Sequence, residues 1–230
     1  MAKKKICIFV PADANNDRYF TMFEKSLRKF HSEENLPLLR YDNQSGDPNF
    51  WYRAKPLIAS KLLEEYETVI GADADQIILA PLTEIIDDTD AYDVGVVLND
   101  ASYKIQLWDI APYFNNGLVV MKSKAFADHW LRLCMSPHFN TYQFREQDLL
   151  NILCSDYHNY QVKCFDTMQK VYGEAAKSRW IEAKMVDDKV MIGETQLMIY
   201  HSGGGNTPDK MKYHLRFQPE VAKYMDGLIL

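Results

Sequence analysis

Thr68-Val-Ile-Gly-Ala-Asp-Ala-Asp-Gln-Ile-Ile-Leu-Ala80 decides how the chain is read, because a short apolar run breaks into two carboxylates, Asp73 and Asp75, and then resumes. Val69 and Ile70 are β-branched without polar alternation, which suits a strand covered on both faces of its sheet. Gly71 and Ala72 are small enough to let another group approach the backbone. Open α/β sheets bind ligands beyond the carboxyl ends of their strands, so Asp73 and Asp75 stand where a ligand is expected. Two carboxylates this close repel unless a cation lies between them, and oxygen ligands favour a hard ion such as Mn²⁺ or Mg²⁺. The competing reading is an acidic surface turn, since Asp is a common turn former.

Upstream, Ile6 to Val10 predicts a buried first strand, Pro11 to Tyr19 a polar stretch, and Arg18 to Phe30 a helix. A second strand over Leu36 to Tyr41 runs into a loop of turn formers at Asp42 to Asn49. Helical spacing from Trp51 to Tyr66 then delivers the chain to the Asp73–Asp75 strand. Downstream come a short turn or helix at Leu82 to Ile86, a strand at Tyr92 to Asn99, and a loop or lid at Asp100 to Tyr113 carrying Tyr103, Trp108 and Tyr113. Phe114-Asn-Asn-Gly-Leu-Val-Val-Met121 reads as a turn-like polar step entering a buried strand. Helices over Lys124 to Met135 and Phe144 to Asp156 follow, then strands near Tyr160 to Phe165, Lys189 to Ile192 and Gln196 to Tyr200. Strands alternating with helices in the first half imply an α/β chain with a mostly parallel sheet, and the later strands an antiparallel extension of it.

The 230 residues, 47% hydrophobic, are enough for one sizeable core and are read as one domain over residues 1–230. A net charge of -6 argues against a broad nucleic-acid surface, so no nucleic-acid partner is expected. Cys7, Cys134, Cys154 and Cys164 are too far apart for a C-x-x-C pattern and are expected to be reduced and buried. The apolar run after the basic start lasts only from Ile6 to Val10, too short for a membrane span or signal peptide, which points to a soluble cytoplasmic protein.

Further constellations bear on chemistry. His201 closes a strand before three glycines, a combination that lets backbone amides approach an anion beside an imidazole; the alternative is a hydrogen-bonded strand-end histidine. Glu146-Gln147-Asp148 opens a helix, where acidic residues are also favoured by the dipole alone. Asn115 and Asn116 precede Gly117 and could be turn formers only. Lys210, Lys212, His214 and Arg216 alternate with Met211, Tyr213, Leu215 and Phe217, so an extended segment would carry its cations on one face, as a basic strip or as a charge-protected edge strand. Trp51, Tyr52 and Trp108 could stack on sugars or belong to the core.

Several separated pieces, in this order, resemble the retaining, nucleotide-sugar-dependent glycosyltransferases of the GT-A fold, especially family 8, the galactosyltransferase and glycogenin type. Asn16-Asp17-Arg18-Tyr19 resembles the family's N-D-x-Y nucleoside segment, with Tyr19 against the base, and Asp73-Ala74-Asp75 its D-x-D on manganese. Phe114-Asn-Asn-Gly117 resembles F-N-x-G, whose asparagine, Asn115 here, contacts the donor sugar. Glu146-Gln147-Asp148-Leu-Leu-Asn151 resembles [DE]-Q-D-x-L-N at the reacting face, and His201-Ser-Gly-Gly204 the H-x-x-G that supplies a third metal ligand and the diphosphate loop. Lys55 sits about where members carry a basic sugar-contacting residue.

The resemblance implies a Rossmann-like GT-A fold with a mixed, mostly parallel sheet and helices on both faces. It implies transfer of a hexose from a nucleoside diphosphate sugar, UDP-linked, to an acceptor hydroxyl with retention. Asp73, Asp75 and His201 would hold Mn²⁺ or Mg²⁺, while Asp148, Gln147 and Asn115 would act at the reacting centre. Asn16, Asp17, Tyr19, Lys55, Ala74 and Gly204 would bind the donor. The family often continues H-x-x-G-x-x-K-P-W, but this chain has Thr207 for the lysine and Asp209 for the tryptophan, so Lys210 or Lys212 is expected to meet the diphosphate. The acceptor is a sugar, lipid or protein of unspecified identity. The rival readings are a nucleotide-sugar hydrolase, a nucleotidyltransferase and a non-catalytic nucleotide-sugar-binding protein.

Overall fold

A computed structural model describes residues 4–44, 46–99, 110–156, 158–165, 180–203 and 207–229. Strand β1 (Lys4–Pro11) leads through a 3₁₀ turn into helix α1 (Asp17–Arg28), followed by β2 (Leu38–Tyr41), α2 (Ala54–Leu62) and β3 (Tyr66–Ala72). Then come β4 (Gln76–Ile78), α3 (Thr83–Asp88), β5 (Val94–Leu98), β6 (Phe114–Met121), α4 (Lys124–Cys134), α5 (Glu146–Leu153) and β7 (Val162–Phe165). The last part holds β8 (Lys184–Val186), β9 (Lys189–Ile192), β10 (Thr195–Gln196), β11 (Ile199–His201), α6 (Thr207–His214) and α7 (Pro219–Ile229).

The central sheet has six strands in the order β2-β1-β3-β6-β5-β7. All its pairs are parallel except those of β6, which runs antiparallel to both β3 and β5. This is the mixed, mostly parallel α/β sheet expected from the alternating pattern. Both of its faces are covered, which is why its strands read as unbroken apolar runs. Cys7, Phe9, Val69, Val119 and Met121 pack with α2, α4 and α5 on one side, while Ile8, Val10, Ile70 and Val120 pack with α1 and α3 on the other.

The strands after β7 do not extend this sheet. β8, β9 and β10 form a separate antiparallel sheet, and β11 pairs, among the described residues, only with β4. Asp187 and Asp188, at φ 47° and 60°, supply the positive-φ pair of a tight two-residue hairpin, and Gly193 at φ 60° helps turn the next. The apolar run from Gln196 to Tyr200 is accordingly split between β10 and β11. With α6, α7 and Trp180 these strands enclose a third core containing Ile77, Tyr200, Met211, Leu215 and Met225.

The segment from Lys210 to Phe217 is not extended either. Residues through His214 lie in α6, because Met211 and Leu215 satisfy a helical spacing as well as an alternating one, and Pro208 and Asp209 suit a helix start. His214 is therefore buried, its Nδ1 2.9 Å from Tyr200 Oη, rather than part of a basic face. Cys7 and Cys134 are buried as expected, but Cys154, at the end of α5, is half-buried, and Cys164 is exposed on β7, which among the described residues is an edge strand paired with β5 alone. The loop or lid read at Asp100–Tyr113 lies outside the described residues as far as position 109, as do Tyr103 and Trp108 within it. None of the helices among the described residues is long and apolar enough to cross a membrane.

Candidate active site

β3 stops at Ala72, and Asp73, Ala74 and Asp75 turn the chain into β4. Asp73 N donates to Gly117 O at 2.8 Å, tying this turn to β6. β11 returns along β4 with His201 opposite Gln76, and Ser202 N donates to Asp75 O at 3.2 Å, so the strand register itself brings the imidazole to the carboxylates. His201 Nε2 lies 3.3 Å from Asp75 Oδ1 and 3.6 Å from Asp73 Oδ2. Ser202 Oγ donates to Asp75 Oδ2 at 3.0 Å, so Oδ1 is the oxygen that meets His201. Burial disfavours the imidazolium, but Asp75 and Asp73 outweigh burial and the nearby Lys55, raising the His201 pKa. One ligand atom from each of Asp73, Asp75 and His201 falls within 4.8 Å of the others. Two carboxylates and one imidazole are a donor set that fits a divalent cation of the Mn²⁺ or Mg²⁺ kind.

Lys55, on α2 and buried, donates from Nζ to Asp73 Oδ1 and to Asn116 O, each at 2.5 Å. Asn116 belongs to a bulge in β6: Val96 faces Val119, yet Val97 faces Asn115, so the intervening residues leave the ladder with β5 while Leu118 still pairs with Ala72. The predicted polar turn is thus a bulge inside the strand, a device that re-aims side chains beside active sites. Asn115 Oδ1 accepts from Gly117 N at 2.6 Å, and Asn116 Nδ2 donates to Glu146 Oε1 at 3.0 Å.

The first turn of α5 faces this bulge. Arg145, just before it, has φ 45° and ψ -111°, a backbone state that strains any non-glycine residue, and its guanidinium lies 4.0 Å over the Tyr52 ring. Trp130 Nε1 donates to Glu146 O at 2.9 Å, and Asn151 brackets Phe114 by accepting from its N at 2.6 Å and donating to its O at 2.8 Å. Gln147 Oε1 accepts from Asn116 N at 3.1 Å, and Gln147 Nε2 donates to Tyr113 Oη at 3.0 Å. Asp148 is buried, Oδ1 accepting from Tyr113 Oη at 2.7 Å and Oδ2 from Phe144 N at 2.9 Å. Burial, relieved in part by its own backbone, by Lys55 and by Asn116, pushes the Glu146 carboxyl up to about 7, and its Oε2 has no hydrogen-bond partner among the described residues. Pro11, Trp51, Lys55, Asp73, Asn116 and Glu146 line a pocket of about 180 Å³.

Other expected residues sit around this centre. Asn16 and Asp17 follow β1, whose last residue Pro11 reaches the pocket; Asp13 Oδ1 holds Asn16 through Nδ2 at 2.7 Å, and Arg40 pairs with Asp17. Tyr19 is half-buried in the first turns of α1. Lys210 folds back on the loop after β11, donating to Ser202 O at 3.0 Å and Gly203 O at 2.6 Å, whereas Lys212 is exposed. Gly204 lies outside the described residues. Asp13, Tyr113 and Ser202 were given no role by the sequence reading: Tyr113 was named only as an aromatic of the loop and Ser202 only within His201-Ser-Gly-Gly204, and of the three Ser202, next to His201 in an already suspect loop, carried the signal that could have found it.

A mixed sheet with a two-carboxylate turn at the end of a central strand, met by a histidine from a later strand, is the arrangement that the resemblance to the GT-A glycosyltransferases implies. This chain has the GT-A fold and resembles its family 8 type. Among solved structures it is similar to a glycosyltransferase involved in glycosylation of the major capsid of PBCV-1, with 13% identity over 92% of this chain and 99% of that one and a TM-score of 0.63. It is similar also to the galactosyltransferase LgtC bound to donor and acceptor sugar analogues, with 18% identity over 97% of this chain and 95% of that one and a TM-score of 0.62. The glycosyltransferase GlyE of Streptococcus pneumoniae TIGR4 aligns at 14% identity over 99% of this chain and 64% of its own, with a TM-score of 0.54. No protein-family model and no curated protein sequence matches the chain.

Proposed function

We propose that this protein is a glycosyltransferase, one catalytic domain that moves a hexose from a UDP-sugar to an acceptor hydroxyl with retention of anomeric configuration. The observation that carries this reading is the convergence of Asp73, Asp75 and His201 at the end of β3, beside the pocket that Lys55, Asn116 and Glu146 line. Asp73, Asp75 and His201 would hold Mn²⁺ or Mg²⁺, which when bound supplies Lewis-acid stabilisation of a leaving diphosphate.

The chain's own groups account for the rest. Lys55 uses two of its three N–H groups on Asp73 and Asn116, which leaves one for a ligand hydroxyl in the pocket. Glu146 and Asn116 present a carboxyl and an amide at the same wall, suited to the hydroxyls of a sugar ring. Gln147, held between Asn116 and Tyr113, offers a fixed dipole where positive charge develops as the glycosidic bond breaks. Lys210 is the cation nearest in sequence to the glycine loop and already lies on its carbonyls, which supports it over Lys212 as the group that meets the diphosphate. Asn16, Asp17 and Tyr19 would receive the nucleoside.

Incubation with UDP-hexoses and Mn²⁺, with and without a panel of sugar, lipid and peptide acceptors, tests this reading. Acceptor-dependent UDP release and a product with the donor's anomeric coupling in early NMR spectra support it. UDP release indifferent to every acceptor would make the protein a hydrolase, and an inverted product would overturn retention.

A further inference from the structure

Tyr113 lies one residue before β6 and is 1% exposed, and its hydroxyl joins two neighbouring side chains of α5. It donates to Asp148 Oδ1 at 2.7 Å and accepts from Gln147 Nε2 at 3.0 Å. Asp148 Oδ1 takes the single phenolic proton, which leaves the lone pairs of the hydroxyl facing Gln147. A hydroxyl in that state receives the NH₂ end of an amide and repels the carbonyl end. On the other side, the Asn116 N–H can only donate, and it selects the carbonyl end. The two ends of a glutamine amide are nearly equal in shape, so partners of opposite polarity are what fix its orientation.

We propose that Tyr113 is a positioning residue for Gln147, setting through its hydroxyl which end of the Gln147 amide is presented at the reacting face. Asp148 then serves as the anchor of the phenol: it is 4% exposed and both of its oxygens already accept hydrogen bonds. Burial first, and then the bond to Asp148, hold the phenol far above its ordinary pKa, so its proton stays in place. Asn151 Nδ2, donating to Gln147 O at 2.8 Å and to Phe114 O at 2.8 Å, keeps the helix turn and the strand start in register around this clamp. The inference rests on the glycosyltransferase reading for its consequence in catalysis, but the clamp itself can be observed without turnover.

Tyr113→Phe removes one oxygen and keeps the ring. In ¹⁵N-labelled protein the Gln147 side-chain amide, assigned by its loss in Gln147→Ala, should show two resolved protons slow to exchange, and in Tyr113→Phe these should exchange at least about 10-fold faster. With an active donor and acceptor, kcat should fall about 10-fold to 100-fold while donor affinity stays within about twofold. Adding Tyr113→Phe to Gln147→Ala should then lower kcat no further, because a residue that acts through Gln147 has nothing left to position. A general packing role predicts the same loss of kcat in both backgrounds, which would overturn the proposal. An unchanged Gln147 amide in Tyr113→Phe would overturn it also, whatever the activity. Faster exchange with unaltered kcat would reduce the clamp to a structural feature and remove the positioning role. If the wild type shows the protected amide yet transfers no sugar, the glycosyltransferase reading is what fails, and the catalytic role falls with it.

Discussion

Gly117 and His201 are packed so closely that a Cβ on Gly117 would lie 2.4 Å from His201 Cε1 and 2.7 Å from Asn115 Oδ1. The glycine of the β6 bulge is therefore the seat of the imidazole, and two segments far apart in sequence are one piece of the same site. Gly117→Ala cannot be accommodated by a flexible side-chain tip, since the ring and the bulge are both held. It should displace His201 and cost about 1–3 kcal/mol of stability. Mn²⁺ affinity, followed by calorimetry, should drop about 10-fold or more, while Gly227→Ala, whose Cβ would meet nothing within 4 Å, serves as the control.

Glu146 should make the protein less stable as pH rises. Its folded pKa of about 7 stands above the ordinary 4.5, so between those values the native state holds a proton that the unfolded chain releases. Stability is unaffected by this group below about 4.5, falls through the window, and levels off above about 7. Glu146→Gln keeps the shape and the bond from Asn116 to a carbonyl oxygen without the buried charge. It should raise stability at pH 8 by roughly 1–3 kcal/mol and flatten the decline of melting temperature between pH 5 and pH 7. Equal slopes in both proteins would show that Glu146 does not titrate in that window.

Lys210 and Lys212 should behave differently, although the sequence offers them as equals. Lys210→Ala removes the ammonium that gathers the Ser202 and Gly203 carbonyls next to His201. It should lower kcat about 10-fold or more, whereas Lys212→Ala, an exposed residue, should leave kcat within about twofold. Steady-state kinetics on the two variants separates them, and equal effects would remove Lys210 from the reaction.

The parts of this site that were legible in the sequence are those where chemistry sits at the end of an apolar strand. Asp73 and Asp75 interrupt a run too hydrophobic to face water, and His201 ends another; each alone fitted a surface turn or a strand-end histidine as well, and the order of motifs in the family resemblance is what joined them. Tyr113 did not, because its meaning depends on Asp148 lying 35 residues away in sequence, across a helix–strand contact. α6 was misread because Met211 and Leu215 fit both periods, and only the third core that buries them chooses the helix. The separate small sheets were hidden for a related reason: the turn chemistry of Asp187 and Asp188 shows where the chain reverses but not which sheet its strands join. Gly117 looked like a turn residue, and its necessity is visible only once the imidazole stands against it.

Calorimetric titration of UDP, with and without Mn²⁺, into the wild type and Asp75→Asn tests the central claim most directly. Asp75 offers Oδ1 toward His201, and its amide variant keeps the size of the side chain while removing one anionic ligand. The wild type should bind UDP at least about 10-fold more tightly with Mn²⁺ than without it, and Asp75→Asn should lose that gain while keeping its fold by circular dichroism. UDP affinity that ignores Mn²⁺ in the wild type, or a full Mn²⁺ effect retained in Asp75→Asn, would contradict a donor site built on Asp73, Asp75 and His201.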